Sequence, residues 1–344
     1  MKLGITGLSG AGKSTVFEAL TREFNEGGNK TENRLGTIRV PDVRIDRLSE
    51  IYKPKKTIYA QVEYFLPGQT GHTKDAGADE TAWAPVRDAD ALIHVVRNFP
   101  LFGLEEPHPV KDFMALDQEL ILIDLAQAEK RIARMDAEAG KAKKPDPEER
   151  DLLGECHALL EQETPLRRHP HLAFARKLRG FAFLSAKPML VLFNNTDDDD
   201  SLPDAGAAVS EENCMVIRGK LEHELAQMTD EEAAELLEEF EISASATDRV
   251  VKQSYKLLGL ISFFTVGEDE VRAWTIKEGT SALDAAEVIH SDIKKGFIRA
   301  ETISCDDFMD AGSMAAAKKK GTLRLEGKTY EVKDGDIINF RFNV

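Results

Sequence analysis

Eight residues near the start of the chain have the types and spacing for phosphate chemistry. Gly7-Leu8-Ser9-Gly10-Ala11-Gly12-Lys13-Ser14 matches G-x-x-x-x-G-K-[ST] at every fixed position. Glycines let a backbone wrap a phosphate, and consecutive N–H groups then aim at its oxygens. A helix that opens at this point adds the positive end of its dipole. Lys13 is placed to neutralise charge on the β- and γ-phosphates and is the expected catalytic residue; Ser14 offers its hydroxyl to Mg²⁺. Gly10, Ala11, Gly12, Lys13, Ser14 and Thr15 are therefore the expected phosphate-binding set. The spacing is not G-x-G-x-x-G, which disfavours a dinucleotide fold. The loop alone does not name the reaction. A small nucleotide kinase carries a similar loop, but needs an acceptor pocket and a lid, and the sequence displays neither.

Such a loop must hang between a strand and a helix. Lys2–Thr6 is a short apolar strand, and Thr15–Arg22 reads as the helix. Gln61–Leu66, Ala91–Val96 and Met189–Asn194 are further apolar runs of strand length. Short buried strands alternating with helices predict a parallel sheet in an α/β domain. Between Asp117 and Gly180 apolar residues recur at helical spacing, broken at Gly140 and Lys143-Lys144-Pro145-Asp146-Pro147. This predicts an αα-hairpin inserted into the sheet near 117–183. Thr229-Asp230-Glu231-Glu232 is a capping box before a helix at Ala233–Phe240, and another helix spans Asp248–Leu258. Beyond Ser262, Val271–Ile276, Gly296–Ile303, Thr322–Leu325, Lys328–Val332 and Ile337–Phe342 read as strands around a helix at Ser281–Ile289. The expected division is residues 1–262 and a small α+β domain at 263–344.

The whole chain of 344 residues bears a net charge of −16, from 45 Lys and Arg against 61 Asp and Glu. Sixteen acids lie between Asp197 and Glu241, opposed only by Arg218 and Lys220, so the remainder is near neutral. Charge acts within about a Debye length of ~8–10 Å, so a negative total does not exclude RNA contact elsewhere. Three dispersed cysteines indicate neither a disulfide framework nor a zinc site. No apolar run approaches the ~18 residues of a membrane span, and no signal peptide is read at the start. The expected setting is reducing and cytoplasmic, with no membrane and no DNA partner. His169-x-His171 lacks a further ligand at metal spacing and reads as a surface turn. His94, within an apolar run, reads as a satisfied core histidine. Trp274, Phe297 and Phe340 read as core in preference to RNA-stacking residues.

The stretches VRAWTIKEGT, AAEVIHSDIKKGFIRAE and DGDIINFRFNV closely resemble the C-terminal region of the YchF-type Obg-like ATPases. LDQELILIDLAQAEKRI, YKLLGLISFFTVGEDEVRAW, RVPDVRIDRLSEIYKPKKTI and DALIHVVRNF extend the likeness over nearly the whole chain. The resemblance implies a G-domain with an inserted hairpin, then a TGS domain of ubiquitin-like fold. It also implies ATP or GTP hydrolysis and an association with ribosomes.

The departures from that family pattern carry equal weight. The strand ending Val62-Glu63-Tyr64-Phe65 should lead into D-x-A-G, and here it runs Leu66-Pro67-Gly68. That missing Asp normally holds the metal shell. Gln69 and His72, in the divergent loop that follows, are candidates to orient a water, and Asp75 or Asp79 to replace the Asp. Thr31 is the candidate second hydroxyl for Mg²⁺. The base-reading motif aligns as Asn194-Asn195-Thr196-Asp197, with Asp of the guanine-reading type but no Lys, while the family accepts adenine. Gly219 stands where its backbone N–H can meet the base. Asn194, Asn195, Asp197 and Gly219 complete the expected nucleotide site. The expectation is a weak NTPase for ATP or GTP acting as a switch on the ribosome. The alternative is a nucleotide-dependent ribosome- or RNA-binding module without efficient hydrolysis.

Overall fold

The computed structural model describes residues 1–24, 31–68, 80–138, 146–204, 209, 212–239 and 245–343. They form two compact units, Met1–Thr37 with Glu63–Val250, and Ile38–Val62 with Val251–Val344.

In the first unit, β1 (Lys2–Thr6), β2 (Arg34–Arg39), β4 (Gln61–Leu66), β5 (Ala91–Asn98), β6 (Met189–Asn195) and β7 (Asn213–Ile217) form one sheet. The order is β2-β4-β1-β5-β6-β7. The pairs β4–β1, β1–β5, β5–β6 and β6–β7 are all parallel. Strands covered on both faces read as unbroken apolar runs, and every residue of β6 is buried. One side of the sheet packs Leu92, Val96, Val191 and Phe193 against Phe113, Leu116 and Leu120 of α4 (Pro109–Glu138). The helical insertion therefore starts about two turns earlier than its periodicity suggests, because the first turns of α4 belong to the sheet's core. α4 then runs along α5 (Pro147–Glu161), whose start is fixed by Pro147 and an Asp146 cap accepting from the Glu148 N–H. Ala128, Met135, Leu153, Cys156 and Leu160 close this second core.

Two buried polar groups join the insertion to the sheet. Asp124 of α4 accepts from the backbone N–H groups of Leu184 (3.0 Å) and Ser185 (2.7 Å). Arg167 makes bidentate contact with both Asp117 and Glu212, with closest distances of 2.7 Å to each.

His94 of β5 is 0% exposed and stacks on Phe113. It is a core residue, but not a satisfied one: neither ring nitrogen has a partner in the structure. Burial, with the charges of Arg167 and Lys13, pushes its pKa down to about 3. An unfolded chain takes up this proton near pH 6.5. Stability should therefore be intact above about pH 6.5 and fall as pH drops through that value toward 3. Asp124, raised to about 6 by burial, contributes with the opposite sign over part of the same window. The comparison that isolates His94 is the melting temperature from pH 7.5 to 4.5, for the parent and for His94→Phe. The parent should lose more of its melting temperature on acidification, and parallel profiles would contradict the assignment.

The second unit is a sheet of β3 (Lys56–Ile58), β8 (Leu260–Val266), β9 (Glu270–Lys277), β10 (Phe297–Ser304), β11 (Arg324–Glu326) and β12 (Asp336–Phe342). Its order is β11-β10-β12-β8-β9-β3. Ser281 caps the helix Ala282–Ile289, which packs with Phe263, Phe297, Ala300, Ile338 and Phe340. Trp274 stacks on Phe263, so all three expected aromatics line this core. Lys328–Val332 is not a strand of the sheet. Its backbone pairs with the entry to Ala282–Ile289, through Ala282 N–H to Tyr330 O, Leu283 N–H to Lys328 O and Val332 N–H to Thr280 O. The segment Ile38–Val62 is anchored by α2 (Val43–Tyr52). Arg44 donates to Asp42 and, at 2.7 Å, to Asp334, which also accepts the Ser262 N–H.

Candidate nucleotide-binding site

The Gly7–Ser14 loop leaves β1 and enters α1 (Lys13–Thr21), as the spacing predicts. Gly12 precedes α1 at φ 90°, and no side chain caps the helix. The first-turn N–H groups are thus left to an incoming anion. Lys13 lies across the loop and donates to the carbonyls of Gly7 (2.8 Å) and Leu8 (2.9 Å). Burial lowers its pKa. Ser14 is exposed at the mouth, Thr15 is half-buried and Ala11 is buried. Leu101 and Leu104 lie over Gly10. Arg97, itself buried, gathers their loop by donating to the carbonyls of Phe99 and Glu105.

Asn194, 4% exposed at the end of β6, holds the loop from behind. Its Nδ2 donates to Ala11 O (3.1 Å), and its Oδ1 accepts the Gly219 N–H (2.9 Å). A Cβ at Gly12 would stand 2.3 Å from Asn194 Nδ2, and one at Gly219 2.6 Å from Oδ1. Both glycines are required by this close approach. Asn194 and Gly219, two residues expected at the base edge, are here engaged with each other. Asn195 accepts from Asn98 (2.9 Å) and donates to Ser201 O (2.8 Å). Asp197, 42% exposed at its side chain, accepts the Leu221 N–H and faces Lys220 at 3.4 Å.

Asn194→Ala should therefore act through the loop. It orphans a buried N–H and a carbonyl, a loss of about 1–3 kcal/mol. Denaturant unfolding should record that loss alongside weaker nucleotide binding. Weaker binding at unchanged stability would instead indicate direct contact with the base.

Thr31 is exposed, and its carbonyl lies where a Cβ on Gly68 would fall, at 2.0 Å. Asn33 Oδ1 accepts the Gly68 N–H (2.9 Å). The structure thus brings the Thr31 segment to the end of β4, where Leu66-Pro67-Gly68 offers no carboxylate. Gln69, His72, Asp75 and Asp79 lie outside the described residues.

Two features escaped the sequence reading. The half-buried Phe99 ring edge comes within 3.9 Å of a Gly12 Cβ, beside Asn194. Its only sequence signal is an aromatic just past a strand end. Glu18 of α1 accepts from Arg34 (2.7 Å) and lies 3.0 Å from His223, tying the start of β2 to α1. The spacing of those three residues carries no signal. His169 and His171 form an edge-to-face pair, with His171 on Glu155. Among the described residues no group of three or more His, Cys, Asp or Glu can hold a metal, and no helix is long and apolar enough to cross a membrane.

Comparison with known proteins agrees with this architecture. Residues 260–343 match the family model YchF-GTPase_C, described as a protein of unknown function (DUF933). The chain is similar to the "Ribosome-binding ATPase YchF" of Bacillus subtilis, with 38% identity over 361 residues covering 99% of each chain. It is 36% identical to the protein of that name from Escherichia coli O157:H7, over 100% of this chain and 99% of the other. Its fold matches the structure of the Schizosaccharomyces pombe YchF GTPase at TM-score 0.84 and 27% identity, over 99% and 97% of the two chains. With such identity along its full length, the chain belongs to the YchF family.

Proposed function

We propose that this protein binds ATP on the Gly7–Thr15 loop, hydrolyses it slowly, and uses the bound state to control its engagement with ribosomes in the cytoplasm. The observation that carries the reading is the pre-formed loop itself. Lys13 is laid across it, the N-terminus of α1 is uncapped, and Asn194 locks the loop to Gly219. Ribosome engagement is supported by the relatives, which are named ribosome-binding ATPases. We assign the nucleotide to residues 1–262 and partner contact to the TGS-type domain at 263–344.

ATP is preferred over GTP because, among the described residues, the expected base-edge readers are already engaged. The Asn194 amide is engaged with backbone, and Asp197 holds Leu221 and Lys220. Adenine offers no donor pair to a carboxylate, and the Phe99 ring supplies a stacking surface that does not discriminate by edge. The exposed Ser14 hydroxyl fits a Mg²⁺ that arrives with the phosphates, with Thr31 as the further hydroxyl; the ion would offset charge on the β- and γ-oxygens. A water displaces ADP at the γ-phosphorus, yielding ADP and phosphate, while Lys13 stabilises the charge that shifts to the β–γ bridging oxygen.

Titration with non-hydrolysable ATP and GTP analogues, each with and without Mg²⁺, tests the reading. Binding that tightens with Mg²⁺ and favours ATP supports it; binding of neither nucleotide overturns it. A second reading, binding without efficient turnover, is favoured by Leu66-Pro67-Gly68 at the end of β4. Multiple-turnover phosphate release separates the two. Transfer to an acceptor other than water would instead indicate a kinase.

A further inference from the structure

Among the described residues, β2 sits at the edge of its sheet with β4 as its sole neighbouring strand. The chain leading into it carries Thr31. Whatever fixes the start of β2 therefore also fixes that hydroxyl.

Three contacts do so. At Gly36 a Cβ would stand 2.4 Å from Thr21 Cγ2, so β2 lies close against the last turn of α1. At the end of β4, Asn33 Oδ1 accepts the Gly68 N–H (2.9 Å). β4 runs parallel to β1, so Gly68 lies at the same edge of the sheet as the phosphate loop. The third contact is Arg34 itself. It donates to Glu18 Oε1 (2.7 Å) and to the Glu23 carbonyl, and its guanidinium lies 4.6 Å from the centre of the Phe17 ring. The Arg34 and Glu18 side chains are 18% and 16% exposed, so salt screens this pair less than a surface one.

Glu18 is held from both sides. Its Oε2 lies 3.0 Å from Nε2 of His223, on the helix Gly219–Gln227. Gln227 Nε2 donates to His223 Nδ1 (3.0 Å), which leaves the ring proton on Nε2 to donate to Glu18. That helix starts at Gly219, whose N–H is accepted by Asn194 behind the phosphate loop. One carboxylate thus joins α1, the helix at Gly219 and the start of β2.

The position of Glu18 along α1 gives this junction a role at the site. Ser14 and Glu18 stand four residues apart and share a face of α1, one turn from each other. Thr31 lies three residues before Arg34, a reach of at most about 11 Å. We propose that Arg34 is a positioning residue for the metal–nucleotide complex: clamped on Glu18, it holds the Thr31 hydroxyl toward the Mg²⁺ that Ser14 binds. This deepens the proposed function and rests on it. Arg34 and Glu18 act through Thr31 and touch neither nucleotide nor metal. An ion pair that served the fold alone would set the melting temperature and leave the metal dependence of binding untouched.

The test uses the full chain. A non-hydrolysable ATP analogue is titrated calorimetrically in EDTA and in Mg²⁺, and melting temperatures are recorded, for the parent, T31A, R34Q, R34K, E18Q and E18Q/R34Q. R34Q should bind the analogue in EDTA like the parent, and its tightening by Mg²⁺ should be about tenfold smaller. R34K should recover part of that tightening, because an ammonium pairs with Glu18 but does not fork to the Glu23 carbonyl. E18Q/R34Q should lose no more than R34Q, since both changes break one link. Should R34Q melt well below the parent, R34K and E18Q carry the same comparison with smaller losses. If R34Q tightens with Mg²⁺ as the parent does while T31A does not, the clamp is overturned and the nucleotide reading stands. If R34Q loses as much affinity in EDTA, or the two single losses add in the double variant, the clamp is likewise overturned. If T31A keeps the parent's Mg²⁺ dependence, the clamp has no hydroxyl to serve and falls. If the parent binds no nucleotide, or binds it indifferently to Mg²⁺, the metal–nucleotide site falls and the clamp with it.

Discussion

Lys13→Ala should weaken nucleotide binding by about 100-fold or more and abolish measurable turnover. The lysine would supply charge-assisted hydrogen bonds to two phosphates, each worth about 1.5–3 kcal/mol, and tenfold in affinity corresponds to about 1.4 kcal/mol. Nothing else in the loop replaces that charge: the remaining donors are backbone N–H groups and the Ser9, Ser14 and Thr15 hydroxyls. Stability should hardly change. The lysine's present partners, Gly7 O and Leu8 O, line a partly open loop where water can take its place. Calorimetric titration with an ATP analogue, paired with a thermal melt, checks both halves. Tight binding by a well-folded variant would remove the phosphate role from this loop. Lys13→Arg should rescue poorly, because a planar fork does not follow the path of a flexible ammonium stem.

Arg167→Ala should cost about 3–5 kcal/mol of folding stability. The side chain is 6% exposed, and it is paired at once with Asp117 of α4 and Glu212 just before β7. Truncating it leaves two carboxylates buried, with Arg168 the nearest remaining cation, at 3.5 Å from Glu212. Burial disfavours the guanidinium, but the two carboxylates outweigh it and raise its pKa. The cost lies in breaking the triad, since an apolar replacement of all three often loses little. Urea unfolding of Arg167→Ala and of Arg167→Met with Asp117→Leu and Glu212→Leu distinguishes the cases. The single variant should be clearly the less stable of the two. Equal loss in both would mean that the triad contributes net stability.

The contrast between Lys13 and Arg167 explains what could be read from the chain in advance. Lys13 acts within one local turn, so its types and spacing suffice. Arg167 meets partners 50 and 45 residues away, and no local pattern records such pairing. The apolar runs of β5 and β6 were legible because buried parallel strands are uniformly apolar. The short helices Ser291–Lys295, Cys305–Ala311 and Met314–Lys320 were missed, since five to seven residues give too little periodicity. Their caps, His290, Ser304 and Ser313, were the available signal. At the site, Asn194 was legible by position but not by partner. A residue type suited to reading a base is equally suited to bridging two backbone strands, and only coordinates separate the two.

The pairing of β3 with β9 has a consequence for synthesis. Lys55 and Asp269, which form an ion pair at the start of this ladder, are separated by 214 residues. At a translation rate of about 5–20 residues per second, Ile38–Val62 emerges roughly 10–40 s before the strands that receive it. Throughout that interval the growing chain can complete β1, the phosphate loop and α1, while α2 and β3 wait unpaired. The basic character of this stretch, Arg39, Arg44, Arg47, Lys53, Lys55 and Lys56, keeps the waiting segment soluble and discourages edge-to-edge association with neighbouring nascent chains.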